Sequence, residues 1–298
     1  MLDRQRLTHF LAVMAHRHFG RAADAVRVTQ PAMTKSIRKL ETELGCQLFE
    51  RGRFGAVPTD AALVLERRAQ LILAESRLAE AELASLHGGR GGRISVGVGI
   101  SLATRIMPQA LMEYRRRWPQ VTVKCDVGNS AELYPRLVGG ELDLVISAPL
   151  PSVPVDPGLQ QTLLYVEEDA LVVRVGHPLH SEPPQSLEDL LAHPWVISPE
   201  MGMWSKVLKV FSDAGVQPPR DRVETTSSTL AKALMLQGDY MCVLSRDLYH
   251  AEAQQGLLAA LDFAPFRSRR DVYLAFRRNS PLQTAASNMA WVIERLCR

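Results

Sequence analysis

The chain has 298 residues, of which 46% are hydrophobic and 22% charged, and its formal net charge at pH 7 is +3. This length suits about two domains and a connector, and the composition excludes a largely disordered chain. No apolar run approaches the roughly 20 residues of a membrane helix, and the amino end lacks the apolar segment of a secretory signal. We therefore expect a cytoplasmic protein with no membrane partner.

The amino-terminal region predicts two short helices. Between Arg4 and Arg17, apolar residues recur every three or four positions, which is typical of a helix that packs by one face. The segment from Gly20 to Val26 is rich in alanine, and such small side chains allow a second helix to approach a neighbouring backbone closely. Both helices are expected to support a third.

The third helix is predicted to begin after Thr29, which is a suitable N-cap, with Pro31 in the first turn and Gly45 after the last. Its buried face is expected to contain Met33, Ile37, Leu40 and Leu44. The opposite face carries the candidate DNA-binding residues Gln30, Thr34, Lys35 and Arg38. Amide, hydroxyl and basic side chains of this kind recognise base edges and phosphates in the major groove.

A short turn beyond this helix carries Arg51 and Arg53 on either side of Gly52. The turn is typical of a wing, from which basic side chains reach phosphates or a narrow minor groove. Solvated surface charge is the alternative interpretation of any basic helix. The charge distribution favours DNA, since residues 1–58 contain ten Lys and Arg against five Asp and Glu, a net charge of +5. The whole chain carries only +3, so the remainder carries −2.

Residues 59–87 predict a linker helix. The segment from Asp60 to Leu86 contains neither Gly nor Pro, and small or apolar residues recur in a heptad pattern. This dimer seam contains Leu65, Ala69, Ile72, Ala79, Leu83 and Leu86. Packing against the chain's own core is the ordinary alternative, but the length of the stripe favours a homodimer. Two recognition helices would then meet the half-sites of a partly palindromic double-stranded DNA operator. Glycines at residues 88–92 predict a hinge.

Residues 93–298 predict an α/β domain with largely parallel sheets, because short β-rich runs alternate with segments of helical spacing. In such sheets ligands bind beyond the carboxyl ends of strands, near helix N-termini. The polar residues at these turns are the candidate effector-binding residues Ser101, Thr104, Asn129, Ser130, Ser147, Ser198 and Thr226. Together they favour a small anion or polar organic acid as the effector. The alternative is that each of these residues only caps its helix.

The amino-terminal residues together resemble the DNA-binding domain of the LysR-type transcriptional regulators. The residues that carry the resemblance are Phe10, Ala22-Ala23, Thr29-Gln30-Pro31-Ala32, Leu40-Glu41, Leu44-Gly45, Leu48-Phe49, Arg51 and Thr59. Two positions differ from the family's pattern. Ala62 stands where the family usually has Gly, and Thr34 stands where it more commonly has Ser. The resemblance implies a winged helix-turn-helix domain over residues 1–58, in which the helix from Gln30 to Leu44 enters the major groove and Arg51 and Arg53 assist from the wing.

The remaining two thirds agree with the same family in organisation. The resemblance implies a two-lobed effector-binding domain akin to periplasmic binding proteins, with lobe I at 93–165 and 268–298 and lobe II at 166–267. The chain is expected to cross between the lobes at residues 165–169 and 264–271. The fold class is therefore an α+β multidomain protein that joins a winged helix-turn-helix, a linker helix and a two-lobed α/β effector domain. The resemblance also implies a ligand-responsive regulator that forms a homodimer and a homotetramer.

A solute-binding or enzymatic α/β protein without a regulatory role is the alternative function. The chain contains no Gly-x-Ser-x-Gly elbow, phosphate-binding loop or His-Glu-x-x-His helix, so we predict no catalytic residues, no cofactor and no metal. Cys46, Cys125, Cys242 and Cys297 stand singly, which is typical of reduced thiols. A redox role for Cys125 or Cys242 stays open, as do the effector, the operator and the choice between activation and repression.

Overall fold

A computed structural model of the chain describes residues 3–52, 55–86, 92–150, 154–198, 203–278, 282 and 284–297. In chain order these residues form an amino-terminal head, one long helix and a larger α/β body. Of the hinge predicted at residues 88–92, only Gly92 lies within the described residues. Across this part of the chain, no helix combines the length and apolar character needed to span a membrane.

The head consists of three helices and a two-stranded ribbon. The helices are α1 at Arg4–His16, α2 at Phe19–Ala25 and α3 at Gln30–Leu44, and the antiparallel strands are β1 at Phe49–Gly52 and β2 at Gly55–Pro58. Helix α3 begins where the Thr29 hydroxyl accepts a hydrogen bond from the Ala32 N–H at 3.3 Å. It ends at Gly45, whose φ of 68° is left-handed. Both signals were readable in the sequence.

The hydrophobic core of the head lies between the three helices. Its most deeply buried side chains are Leu7, Phe10, Met33, Ile37 and Leu40. The Glu41 carboxylate accepts hydrogen bonds from the backbone N–H groups of Leu48 and Phe49, which places the ribbon against α3. Leu44, predicted to be buried, is instead 37% exposed. That prediction is wrong because the buried face of α3 ends one turn earlier, at Leu40.

The linker helix α4 spans Asp60–Leu86. Its first half packs on the head, where Ala62 and Ala69 are fully buried and Leu65 is partly buried beside them. The prediction that Ala69 belongs to a dimer seam is therefore wrong, because the head leaves none of its surface free for a partner. Leu65 likewise packs against the core of the head in its own chain.

The second half of α4 differs, because its predicted seam residues are exposed. Ile72, Ala79 and Leu83 all face solvent in the single chain. The side chain of Leu86 lies outside the described residues. This half of the helix keeps an apolar stripe that a second chain could cover.

The body contains the remaining helices and strands. The helices are α5 at Ile106–Arg117, α6 at Ser130–Val138, α7 at Pro178–Ser181, α8 at Met203–Asp213, α9 at Ser228–Gln237, α10 at Arg246–Gln254 and α11 at Thr284–Leu296. The strands are β3 at Arg93–Gly99, β4 at Thr122–Gly128, β5 at Leu144–Ser147, β6 at Leu159–Arg174, β7 at Trp195–Ile197, β8 at Arg222–Glu224, β9 at Cys242–Ser245, β10 at Leu258–Ala260 and β11 at Ser268–Arg277. Separate hydrophobic cores form around β3 and β7. We call the parts built on them lobe I and lobe II.

Strands β6 and β11 run through both lobes. They pair antiparallel from Ser268 opposite Asp169 to Arg277 opposite Leu159, with one register shift between Val272 and Tyr273. Strand β3 pairs parallel with β4 and β5 in lobe I, whereas β9 and β10 pair antiparallel with β6 in lobe II. The prediction of largely parallel sheets is wrong, because a chain that crosses between the lobes in both directions must pair its crossing strands antiparallel.

The carboxyl end of α6 lies against the linker helix α4. A Cβ atom on Gly140, whose φ is 74°, would stand 2.2 Å from the Ala74 Cβ. Close by, the Arg67 guanidinium of α4 forms an ion pair with Asp156 at 3.0 Å. Lobe I therefore contacts the helix that carries the head.

We expect Gly140→Ala to destabilise the protein by about 2–5 kcal/mol, because left-handed backbone costs ~1–2 kcal/mol and overpacking a further ~1–3 kcal/mol. Gly215→Ala is the matched control, since Gly215 has a φ of 69° but nothing within 4 Å of its would-be Cβ. Urea denaturation of both variants measures the difference. Adding Ala74→Gly should restore the stability lost to overpacking in Gly140→Ala, and should restore none in Gly215→Ala. Equal losses of stability in the two glycine variants would contradict the close contact between Gly140 and Ala74.

Candidate nucleic-acid interface and ligand cleft

One face of α3 presents the polar residues expected to contact DNA. Gln30, Thr34, Lys35 and Arg38 line one shallow depression together with Pro31. Three of these side chains are exposed, and Thr34 is half-buried. Within the described residues, neither Lys35 nor Arg38 forms an ion pair. Both cations are therefore available to an anionic partner.

The ribbon after α3 is anchored to the end of α1. The Ala56 N–H donates a hydrogen bond to the Arg17 carbonyl at 2.9 Å, and a Cβ on Gly55 would come within 2.3 Å of that oxygen. Arg51 belongs to β1, but its side chain lies outside the described residues, as does the whole of Arg53. Their role in binding DNA stays a prediction.

Two cavities flank the crossing strands of the body. The lobe I cavity is lined by Ser101, Asn129, Ser130 and Ser147. The lobe II cavity is lined by Ser198 and Thr226 and by many apolar side chains. Arg270 of β11 lines both cavities. Six of the seven predicted effector residues thus line one or other of the two cavities, four in lobe I and two in lobe II. We call the two cavities together the cleft.

Thr104 is the exception, because it lines neither cavity. Its hydroxyl lies 2.9 Å from the Ser101 carbonyl and 2.8 Å from the Asp247 carbonyl, and it donates within the fold. Both hydrogen bonds of the Thr104 hydroxyl lie within the fold, and its contact with the effector stays a prediction. A sequence places a residue after a strand but does not show the direction of its side chain.

The other lobe I residues also have partners inside the protein. Asn129 caps α6 by accepting a hydrogen bond from the Glu132 N–H at 3.2 Å, and the Ser130 hydroxyl accepts one from the Leu150 N–H at 2.9 Å. The Ser147 hydroxyl lies 3.2 Å from the Tyr134 hydroxyl. Capping, the alternative role, is thus real for Asn129, although its side chain still borders the cleft.

Sequence reasoning missed Arg270, which lines both cavities, and the charged groups that hold it. The Arg270 Nη2 atom donates to Glu167 Oε2 at 2.8 Å, and its Nε atom lies 3.0 Å from Asp169 Oδ1 without hydrogen-bond geometry. Both carboxylates are almost fully buried. Lys206 binds the other oxygen of Asp169 at 3.1 Å. Glu167, Asp169 and Arg270 all lie within the predicted crossing segments, but four other charged residues lie there too, so the sequence did not single them out.

The Glu167 carboxyl is held by groups from several elements. Burial raises the pKa of Glu167 above its usual range. The pKa is lowered by the Arg270 guanidinium and by the hydroxyls of Ser245 and Ser101, but each lowers it by less than burial raises it. Ser101 donates its hydrogen bond to this carboxylate at 3.1 Å. Since Ser101 belongs to lobe I and Ser245 to lobe II, Glu167 contacts both lobes.

A second polar cluster connects the lobes at Asp247, in the first turn of α10. The Arg105 guanidinium, next to α5 in lobe I, binds both carboxylate oxygens of Asp247, with Nη2 at 3.0 Å from Oδ2. The Tyr165 hydroxyl, on the crossing strand β6, donates to the same carboxylate. Burial and the adjacent Asp247 carboxylate raise the pKa of Tyr165, which therefore remains a hydrogen-bond donor.

Comparison with known proteins identifies both parts of the chain. Residues 5–63 match the family model of the bacterial regulatory helix-turn-helix protein, lysR family, and residues 87–297 match the LysR substrate binding domain. The chain belongs to the LysR family of transcriptional regulators. It is a LysR-type DNA-binding transcriptional regulator with an effector-binding domain, and not an enzyme.

Relatives and solved structures agree with this assignment over nearly the whole chain. The SDS degradation transcriptional activation protein of Pseudomonas sp. (strain ATCC 19151) is 32% identical, over 98% of this chain and 96% of its own. The HTH-type transcriptional regulator GbpR of Rhizobium radiobacter is 30% identical, over 84% and 83%. The LysR family transcriptional regulator CbnR shares the fold with a TM-score of 0.65 at 21% identity, over 100% of both chains. The predicted family and fold class are confirmed.

Cys125 and Cys242, the two cysteines considered for a redox role, lie in environments that favour the protonated thiol. Burial raises the pKa of Cys242 to about 12, and burial with the adjacent Asp126 carboxylate raises that of Cys125. A thiol reacts as its thiolate, so both shifts reduce reactivity. Among the described residues, no group of three or more His, Cys, Asp or Glu is placed to hold a metal ion.

Proposed function

We propose that this LysR-type regulator forms a homodimer, and from it a homotetramer, that binds a partly palindromic DNA operator through α3 and responds to a small organic anion in the cleft. The exposed face of α3 carries the DNA-binding part of the proposal. Lys35 and Arg38 are free of described carboxylates there, and the head bears the chain's excess positive charge.

Self-association is supported by α4. Ile72 and Leu83 are 40% and 57% exposed on a helix that carries the head at its other end. Pairing two such helices would bury this stripe and present two copies of α3 to two half-sites. The two recognition helices would then bind with a raised effective concentration.

An anionic effector is supported by the charge that lines the cleft. Among the described residues that line the two cavities, Arg270 alone is charged. Its guanidinium has five N–H donors, and only part of them is used by Glu167 and Asp169. An organic acid can therefore bind between the lobes through charge-assisted hydrogen bonds.

Helix α6 supplies the route by which the cleft can affect the head. Ser130, at its first turn, lines the lobe I cavity, and Gly140, just beyond its last turn, contacts α4. The Arg277 guanidinium, at the end of β11, donates to the carbonyls of Leu137 and Leu142 at 3.0 Å and 2.9 Å and fixes this end. An effector that binds one lobe arrangement better than another would move α6 and with it the linker helix.

Fluorescence anisotropy with duplexes from the region around the chain's own gene tests the DNA-binding role. Binding should weaken steeply between about 50 and 200 mM salt, because contacts to phosphates release counterions. A scrambled duplex of equal length is the control for sequence preference. The absence of salt-sensitive binding to every such duplex would overturn the proposal.

A further inference from the structure

The two ends of the cleft differ in chemistry. The lobe I cavity is lined by hydroxyl and amide groups, whereas the lobe II cavity is mainly apolar. The apolar side chains that line the lobe II cavity include Ile197, Met203, Trp204, Val207, Val243 and Leu248. A short polar acid would leave this apolar surface in contact with water, so the lobe II cavity favours a ligand with an apolar part.

Arg270 lies where the two cavities meet. Its side chain is 19% exposed, and Glu167 and Asp169 fix its position from the paired strand β6. A guanidinium held by carboxylates on one side keeps donors for a second anion on another. In the lobe II cavity the Ser198 Oγ atom is buried and has no hydrogen-bond partner among the described residues, so it can donate to the same anion.

We infer that the effector is an amphipathic anion whose acidic group binds Arg270 and whose apolar body occupies the lobe II cavity. This inference rests on the proposed function, because it names the ligand class of the same cleft. The apolar body supplies most of the affinity, while the ionic contact fixes the orientation of the ligand. The ligand also touches a crossing strand that both lobes share.

Isothermal titration calorimetry of the full chain with butanoate, hexanoate and octanoate tests the apolar part. Each buried methylene should strengthen binding about fourfold, so each step in this series should gain about 15-fold until the cavity is full. Octyl sulfate offers the same chain with another anionic headgroup. Octanol and octylamine test the charge, and both should bind at least about tenfold more weakly than the anions.

Two variants and one matched control test where the ligand binds. Ala231, on α9, lines the lobe II cavity, and Ala231→Phe should fill it and abolish the dependence on chain length. Ala251→Phe, at an exposed position on α10 outside both cavities, is the matched control and should bind octanoate normally. Arg270→Lys keeps the charge but loses the planar fork, and should weaken octanoate about tenfold without affecting octanol. Melting curves show whether each variant is folded.

Three results would overturn the inference: equal affinity for butanoate and octanoate, equal affinity for octanoate and octylamine, or octanoate binding that Ala231→Phe leaves unchanged. DNA binding of the same preparation without any probe separates this inference from the proposed function. Retained DNA binding with no anion binding rejects the amphipathic anion alone. Loss of salt-sensitive DNA binding rejects the proposed function itself.

Discussion

Replacing Lys35 and Arg38 together by alanine is expected to weaken operator binding by about two orders of magnitude. Each good contact to a base or phosphate contributes ~1–3 kcal/mol, and tenfold in affinity corresponds to ~1.4 kcal/mol. Both side chains are exposed on α3 and are not paired with described carboxylates, so their loss costs little folding stability. Anisotropy titrations at several salt concentrations should also show a slope lower by about 2.

The matched control is Arg115→Ala with Arg116→Ala. These two exposed arginines lie near the end of α5, in lobe I, so the net charge of the chain changes by the same amount. Operator affinity and its salt slope should stay near those of the parent chain. An equal loss in both double variants would show that net charge, and not the α3 face, dominates binding.

Replacing Asp247 by alanine is expected to cost about 3–5 kcal/mol of stability. The carboxylate is only 6% exposed, and its removal leaves the Arg105 guanidinium and the Tyr165 hydroxyl without their shared acceptor. Breaking a buried pair from one side is costly because the remaining charge stays poorly solvated. Chemical denaturation followed by tryptophan fluorescence measures this loss, since Trp195 is fully buried in lobe II.

Asp239→Ala provides the comparison for this prediction. Asp239 pairs with Arg174 at 2.6 Å, but its side chain is 43% exposed. Exposed pairs contribute about 1 kcal/mol or less, because water screens them. Similar losses for the two aspartates would mean that the contact between Arg105 and Asp247 does not stabilise the arrangement of the lobes.

The head could be predicted almost completely from its sequence because its signals are local. Thr29, Pro31 and Gly45 mark the ends of α3 through interactions within a few residues. The surroundings of the linker helix were harder to predict. A heptad pattern shows that one face of a helix will be buried, but it does not show which surface covers that face. Ala69 meets the chain's own head, whereas Ile72, three residues later, remains exposed.

The centre of the cleft could not be predicted because it depends on the pairing of distant strands. Arg270 and Glu167 are 103 residues apart in the chain, and the antiparallel register of β6 and β11 brings them together. Hydroxyl residues at strand ends follow a general rule for α/β sheets, so the positions of Ser101, Ser130 and Ser147 beside the cleft could be expected, while their contact with an effector stays a prediction. Charged residues within a strand carry no comparable local signal.

Lobe II is built from one uninterrupted stretch of chain that leaves through β6 and returns through β11. The linker helix touches lobe I, and the apolar cavity lies in lobe II. Ligand preference can therefore diverge by exchange of this inserted stretch as a unit, while the surfaces that relay the response to the head are inherited unchanged.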